Sequence, residues 1–93
     1  MQINLYDVRE VLDEPSATYF TRNLSRIFTA EHKQMIVPTV MRGKQTTMTF
    51  PIAHYNLEDA IEYMSKPYNN KYISESRKKH LSTLLKIKEN KND

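Results

Sequence analysis

Apolar residues recur at helical spacing at the start of the chain. Leu5, Val8, Val11 and Leu12 follow a period of three to four, which predicts a first helix of about two turns with Asp7 in its first turn. Asp13-Glu14-Pro15 should end this helix, because proline lacks a backbone donor and moves the preceding residue away from helical angles. Ser16 is then expected to cap a second helix.

The second helix has two chemically different faces. Its apolar face should enter the core and consists of Ala17, Phe20, Leu24, Ile27 and Phe28. Its polar face contains two arginines and no acid, and consists of Thr18, Tyr19, Arg22, Asn23 and Arg26. Arginine bonds bidentately to guanine and asparagine to adenine, while threonine and tyrosine bond to phosphate. The polar face therefore has the composition of a helix that reads a DNA groove.

From Gln34 onward the pattern becomes typical of β-strands. Residues 35–41 and 46–50 are rich in β-branched residues and methionine, and the single glycine of the chain, Gly43, separates the two runs. This predicts a two-stranded ribbon with Arg42, Lys44 and Gln45 at its tip. Because Pro38 and Pro51 restrict strands to edges or ends, we expect the ribbon to be short, twisted and exposed.

Two further helices are predicted after the ribbon. Asn56 should cap the first, with Asp59 in a capping-box-like role and a buried stripe of Leu57, Ala60, Ile61 and Met64. Pro67 should close it. The last helix is expected from about Ser74 to Lys88, with the final residues, 89–93, frayed. One side of it holds Ile73, Leu81, Leu84, Leu85 and Lys88, while Arg77, Lys78, Lys79, Lys86 and Lys91 are spread over the rest.

Composition and charge narrow the class of protein. A chain of 93 residues without cysteine has no disulfides and can bury only one modest core. We expect a domain at 1–66, followed by a basic C-terminal helix at 67–93 that packs on this domain or on a partner. Charge is segregated along the chain: residues 16–56 carry five bases against one acid, and residues 67–93 carry seven against three. A patch of one sign attracts a polyanion even when the net charge is a mild +3.

The order helix, helix, two-stranded ribbon, helix predicts an α+β, mostly helical fold of the winged helix-turn-helix type with an added C-terminal helix. Residues 3–65 resemble the small MerR-like excisionase and AlpA-type regulators of phages and mobile elements. The resemblance lies in Leu5-Tyr-Asp-Val-Arg-Glu-Val-Leu12 as first helix, Ser16-Ala-Thr-Tyr-Phe20 at the start of the recognition helix, and Asn56-Leu-Glu-Asp-Ala-Ile-Glu-Tyr-Met64 as closing helix.

The resemblance implies a protein that binds a specific site on double-stranded DNA, with the second helix in the major groove and the wing on the adjacent backbone or minor groove. It implies cooperative or dimeric binding that bends DNA or regulates transcription. Carried over by position, the helix candidates are Thr18, Tyr19, Arg22 and Arg26, and the wing candidates are Arg42 and Lys44. Ser16, Asn23 and Gln45 complete the expected DNA-binding set, with Arg77, Lys78 and Lys79 as candidates for secondary phosphate contacts.

Other interpretations remain open at the level of sequence. Arg22 and Arg26 are equally consistent with a solvated helix face, and Arg42 and Lys44 with charges that keep an exposed ribbon edge from pairing. The alternative function is a small phage-encoded inhibitor of a host nucleic-acid-processing protein. In that hypothesis Asp13-Glu14 and Glu58-Asp59-Glu62 imitate phosphates, and exposed tyrosines act as anchors, namely Tyr55, Tyr63, Tyr68 and Tyr72.

An enzyme is not expected. His32, His54 and His80 lack metal-ligand spacing, one glycine cannot form a phosphate loop, and no set of nucleophile, base and oxyanion donors is present. We therefore expect no metal and no cofactor. No apolar run approaches the roughly 20 residues of a membrane span, which predicts a cytoplasmic protein without a membrane partner.

Overall fold

The computed structural model describes residues 1–92 and has an α+β fold in which about half of the chain is helical. The elements in chain order are β1 (Gln2–Ile3), α1 (Leu5–Arg9), α2 (Ser16–Ile27), β2 (Glu31–Met41), β3 (Lys44–Asn56), α3 (Leu57–Ser65) and α4 (Lys71–Asn92). The three strands form one antiparallel sheet in the order β1-β3-β2. No helix within residues 1–92 is both long and apolar enough to cross a membrane.

Helix α1 is shorter than the two turns predicted. It begins at a capping box, in which the Asn4 side chain accepts bonds from the backbone N–H groups of Tyr6 and Asp7, and the Asp7 carboxylate accepts one from the Asn4 N–H at 2.9 Å. The helix ends at Arg9, and Val11 and Leu12 follow in a turn while still packing against the core. The apolar spacing therefore indicated which residues are buried, not how far the helix extends.

Ser16 does not cap α2, contrary to the prediction. It is the first residue of the helix, Pro15 occupies the cap position, and no side chain makes a capping hydrogen bond there. A proline just ahead of the first turn costs no helical bond, because the first N–H groups of a helix have no intrahelical partner.

The ribbon is the largest departure from the sequence prediction, because it is long. Strands β2 and β3 pair from Glu31↔His54 to Met41↔Lys44 around a two-residue turn. Both turn residues have positive φ, 51° at Arg42 and 76° at Gly43, as a type I′ hairpin turn requires. The ten steps along β2 extend about 33 Å at the usual rise. Residues 33–52, called the arm below, give the molecule a long axis of 51 Å against 27 and 23 Å.

The two prolines do not shorten the arm, because of where they fall in the pairing. The residues that flank a two-residue turn form a hydrogen-bonded pair, and hydrogen-bonded and non-hydrogen-bonded pairs then alternate. Counting from Met41↔Lys44, both Pro38↔Thr47 and Gln34↔Pro51 are non-hydrogen-bonded pairs. Each missing N–H therefore belongs to the outer edge of the ribbon and not to the ladder.

The core forms where the helices meet the base of the sheet. Its fully buried apolar residues come from every element except β2: Ile3, Val8, Ala17, Phe20, Leu24, Tyr55, Leu57, Ala60, Met64, Leu84 and Ile87. As predicted, Asn56 caps α3 by accepting a bond from the Asp59 N–H at 2.9 Å. Ile27 of α2, predicted to be buried, is exposed.

Helix α4 completes this core within the same chain. Leu84 and Ile87 are buried, whereas Leu85 is 48% exposed and Ile73 is also exposed, contrary to the predicted stripe. The helix continues to Asn92, so residues 89–92 are helical and not frayed; Asp93 lies outside the described residues.

Candidate nucleic-acid surface

The outer face of α2 is an exposed basic surface of the helical body. Ala17, Phe20 and Leu24 turn into the core at helical spacing, which leaves Tyr19, Arg22 and Arg26 on the opposite side. Tyr19 is 62% exposed, and both arginines are exposed. Within residues 1–92 neither arginine pairs with a carboxylate. Both guanidinium groups are therefore available to an anionic ligand.

Thr18 is held by the corner between α1 and α2. Its hydroxyl donates to Glu14 Oε2 at 2.6 Å, and Arg9 Nε donates to Glu14 Oε1. The hydrogen bond from Thr18, followed by that from Arg9, lowers the pKa of the Glu14 carboxyl below its ordinary value. Because Thr18 is half-buried and already donates its hydroxyl proton, the predicted base-edge role is less favoured for Thr18 than for Tyr19 or Arg22.

A groove of about 820 Å³ runs between α2 and α4. Helix α2 contributes Ser16, Thr18, Tyr19, Phe20 and Arg22 to its lining. Helix α4 contributes Tyr72, Glu75, Ser76, Lys79, His80 and Thr83. The groove thus places Arg22 and Lys79, which are far apart in sequence, beside one cavity with a tyrosine on each side.

His80 forms the floor of this groove together with Phe20. The two rings meet edge to face, with centroids 5.2 Å apart and planes at 68°. Burial lowers the pKa of His80 below its ordinary value, because the imidazolium form is poorly solvated there. The charged side chains that line the groove are therefore two bases, Arg22 and Lys79, and one acid, Glu75.

The three basic residues predicted as secondary phosphate contacts have different environments. Arg77 is held between two aromatic rings, 4.6 Å from the centroid of Tyr63 and 4.6 Å from that of Tyr68, and its Nη1 donates to the Lys66 carbonyl at 3.3 Å. Lys78 is exposed but does not line the groove, whereas Lys79 does. Only Lys79 therefore extends the basic surface of α2.

The remaining predicted residues lie apart from one another. Asn23 is half-buried on α2, next to the exposed stripe. Arg42, Lys44 and Gln45 are exposed at the tip of the arm, about 33 Å along β2 from its base. The structure therefore brings Tyr19, Arg22 and Lys79 together and does not bring the ribbon tip to them.

The tyrosines of the alternative hypothesis are only partly available. Tyr55 is buried in the core, where burial raises the pKa of its hydroxyl, and Tyr63 packs edge to face on Phe28 at 5.6 Å. Their predicted exposure is wrong. Tyr68 and Tyr72 are exposed, and Tyr72 is the groove residue that sequence reasoning had assigned only to protein contacts.

Comparisons with known proteins found nothing similar to this chain. No family model, no curated protein and no solved structure matches the chain. In the part of the chain that the structure describes, no group of three or more histidine or acidic side chains is placed to hold a metal ion.

Proposed function

We propose that the protein binds double-stranded DNA through the outer face of α2 and the adjoining groove, as a sequence-specific regulator or excisionase. The observation that carries this proposal is the acid-free stripe of Tyr19, Arg22 and Arg26, which continues across the groove to Lys79. Helix α2 follows α1 after a tight corner and precedes a β-ribbon, an order that the winged helix-turn-helix proteins share.

The stripe has the dimensions of a groove-reading surface. Tyr19 and Arg26 are separated by about 10 Å along the helix axis, since each residue rises about 1.5 Å. A helix of this width enters the major groove of B-DNA, where arginine can read guanine and tyrosine can bond to phosphate. In the bound complex Lys79 then faces the phosphate backbone beside Arg22.

The long arm changes the role of the wing in this proposal. Because Arg42 and Lys44 lie at the far end of an arm about 26 Å long, they are too distant to grip the backbone next to α2. The α2 surface alone therefore supplies the proposed contacts, and the two tip charges become a matched control.

Selection of sites from a random pool of duplex DNA, followed by affinity measurement over a range of salt, tests the proposal. We expect the double variant R22A/R26A to lose at least about tenfold in affinity for the selected site and to relax its preference for guanine, since a bidentate arginine–guanine pair contributes about 1–3 kcal/mol of discrimination. Lys79→Ala, which removes a phosphate contact, should instead flatten the dependence of log K on log salt by about 0.9. The variant R42A/K44A removes the same charge and should retain most of the affinity and slope.

Equal losses in the two double variants would mean that net charge, and not α2, controls binding. If no duplex is selected and the protein instead retains one stoichiometric protein partner, the inhibitor hypothesis replaces this one.

A further inference from the structure

The arm exposes apolar side chains on a ribbon that other elements touch near its base, where Lys33 donates to Gln2 and Asn4 donates to Met35 Sδ at 3.6 Å. A two-stranded ribbon without packing on either face is marginally stable in water, and this one continues for nine residue pairs beyond the base of the sheet. From Gln34 to Ala53 its only charged residues are Arg42 and Lys44, both at the tip. Between Lys33 at the base and the two charges at the tip both faces are uncharged, and an apolar surface of this kind suits another uncharged surface better than it suits phosphate.

The edges of the arm are not suited to strand addition. Pro38 removes an outward N–H from the edge of β2, and Pro51 removes one from the edge of β3, as the pairing register shows. Proline at an outer edge is a common protection against pairing with other sheets. A partner therefore meets the arm through one of its faces.

The two faces differ in how their apolar residues are arranged. On one face, Met35↔Phe50 and Val37↔Met48 are successive paired neighbours, with Ile52 next to them, so the apolar surface is continuous. We call this the methionine face. On the opposite face, Ile36 is 72% and Val40 68% exposed, but the Pro38↔Thr47 pair separates them.

We propose that the methionine face packs against the methionine face of a second copy, with the two arms antiparallel. When the two-fold axis lies between the pairs Met35↔Phe50 and Val37↔Met48, each apolar pair covers the other pair of the partner copy. A two-fold contact requires such a self-complementary patch. The same register stacks Lys33↔Ile52 on the threonine pair Thr39↔Thr46.

Charge supports this direction of packing. In the antiparallel arrangement the pair Met41↔Lys44 at the tip lies over Glu31↔His54 at the base, with Met41 over Glu31 and Lys44 over His54, so the Glu31 carboxylate lies on the strand next to the one that Lys44 faces. The base also adjoins the first turn of α3, which carries Glu58 and Asp59. Lys33 is turned toward Gln2 of β1, to which it donates a hydrogen bond. A parallel arrangement would instead oppose the two positive tips.

The size of the face sets the expected affinity. One face of about 33 by 10 Å covers roughly 330 Å² per copy, or about 700 Å² in total, which is below the area of a permanent dimer and in the range of transient contacts. The dimer is therefore expected to be reversible, with a dissociation constant of about 1 μM or weaker.

Sedimentation of the full chain without DNA tests this inference, from about 1 μM to 1 mM. We expect a concentration-dependent dimer, at least tenfold weakened by Met48→Glu or Phe50→Glu and little changed by Ile36→Glu, which alters a more exposed apolar residue on the opposite face. Circular dichroism checks that each variant is folded. A monomer throughout, or a stronger effect of Ile36→Glu, would overturn the proposal.

Thiol cross-linking with a bismaleimide that spans about 10 Å tests the direction of the arms, since packed faces lie about 10 Å apart and the chain has no cysteine of its own. Mixing the E31C and M41C variants should give a cross-linked pair, whereas K44C alone and V40C, on the opposite face, mixed with E31C should not. Efficient self-linking of K44C would contradict the antiparallel register. The arm experiments use no DNA, so their outcome is independent of whether α2 binds a duplex.

Discussion

His80 links the groove to the stability of the fold. Burial beside Phe20 lowers its pKa in the folded state, so the unfolded chain takes up this proton more readily than the folded one. The stability that His80 contributes is therefore fully present above its unfolded pKa of about 6.5 and is lost as pH falls through the lower folded pKa.

We expect His80→Gln to flatten the fall in unfolding free energy between pH 7 and pH 5, as measured by urea denaturation. Glu14, whose folded pKa is also lowered, does not interfere, because its contribution is lost only as pH falls below the ordinary carboxyl pKa of 4.5. If the variant and the parent protein lose equal stability between pH 7 and pH 5, burial of His80 does not cause the fall in unfolding free energy.

At the scale of elements, Arg77 connects α4 to α3 and to the segment that follows it. The guanidinium stacks on Tyr63 of α3 and on Tyr68 of the connection, and it also bonds the Lys66 carbonyl. Each cation–π contact contributes about 0.5–1 kcal/mol at a partly exposed site, so we expect Arg77→Ala to lower the unfolding free energy by about 1–2 kcal/mol.

Lys78→Ala is the matched control for this change, because Lys78 is the adjacent exposed base of the same helix. Urea denaturation should show a smaller effect for Lys78→Ala, and Arg77→Lys should recover part of the loss. Equal destabilisation by the two alanine variants would contradict the bridging role of Arg77.

The elements show which features a sequence pattern can predict. The buried face of α2 at Ala17, Phe20 and Leu24, the cap at Asn56 and the turn at Gly43 depend on neighbours within a few residues, and the structure confirms them. The length of the arm depends on whether Pro38 and Pro51 fall in hydrogen-bonded pairs. That depends on the pairing register of β2 and β3, which cannot be read from the composition of the two strands.

The sequence pattern also does not determine which apolar residues of α4 are buried. Its repeat of apolar residues allows either Leu85 or Ile87 to be buried, and packing on α3 and α1 buries Ile87. The groove was missed for the same reason, since Tyr72, Lys79 and Thr83 share a helical spacing that acquires meaning only when α2 lies opposite.

At the scale of the whole molecule, basic residues that are clustered in the sequence lie on separate surfaces of the structure. Of the five bases of residues 16–56, two lie on α2, two lie at the tip of the arm and Lys33 lies at its base, while α4 adds Lys79 to the α2 side. The arm, whose three charged residues lie at its base and its tip, extends from a body that contains the buried core. In our proposals the body binds DNA, and the arm joins two such bodies.

Chemical-shift mapping of the 11.0 kDa protein during titration with a selected DNA duplex is the most direct test of the α2 surface. We predict the largest changes at Tyr19, Arg22 and Arg26, together with Lys79 but not its neighbour Lys78, and small changes at the arm tip. Changes confined to Arg42 and Lys44, or of equal size at Lys78 and Lys79 with none on α2, would contradict the proposal that this helix and its groove hold the DNA.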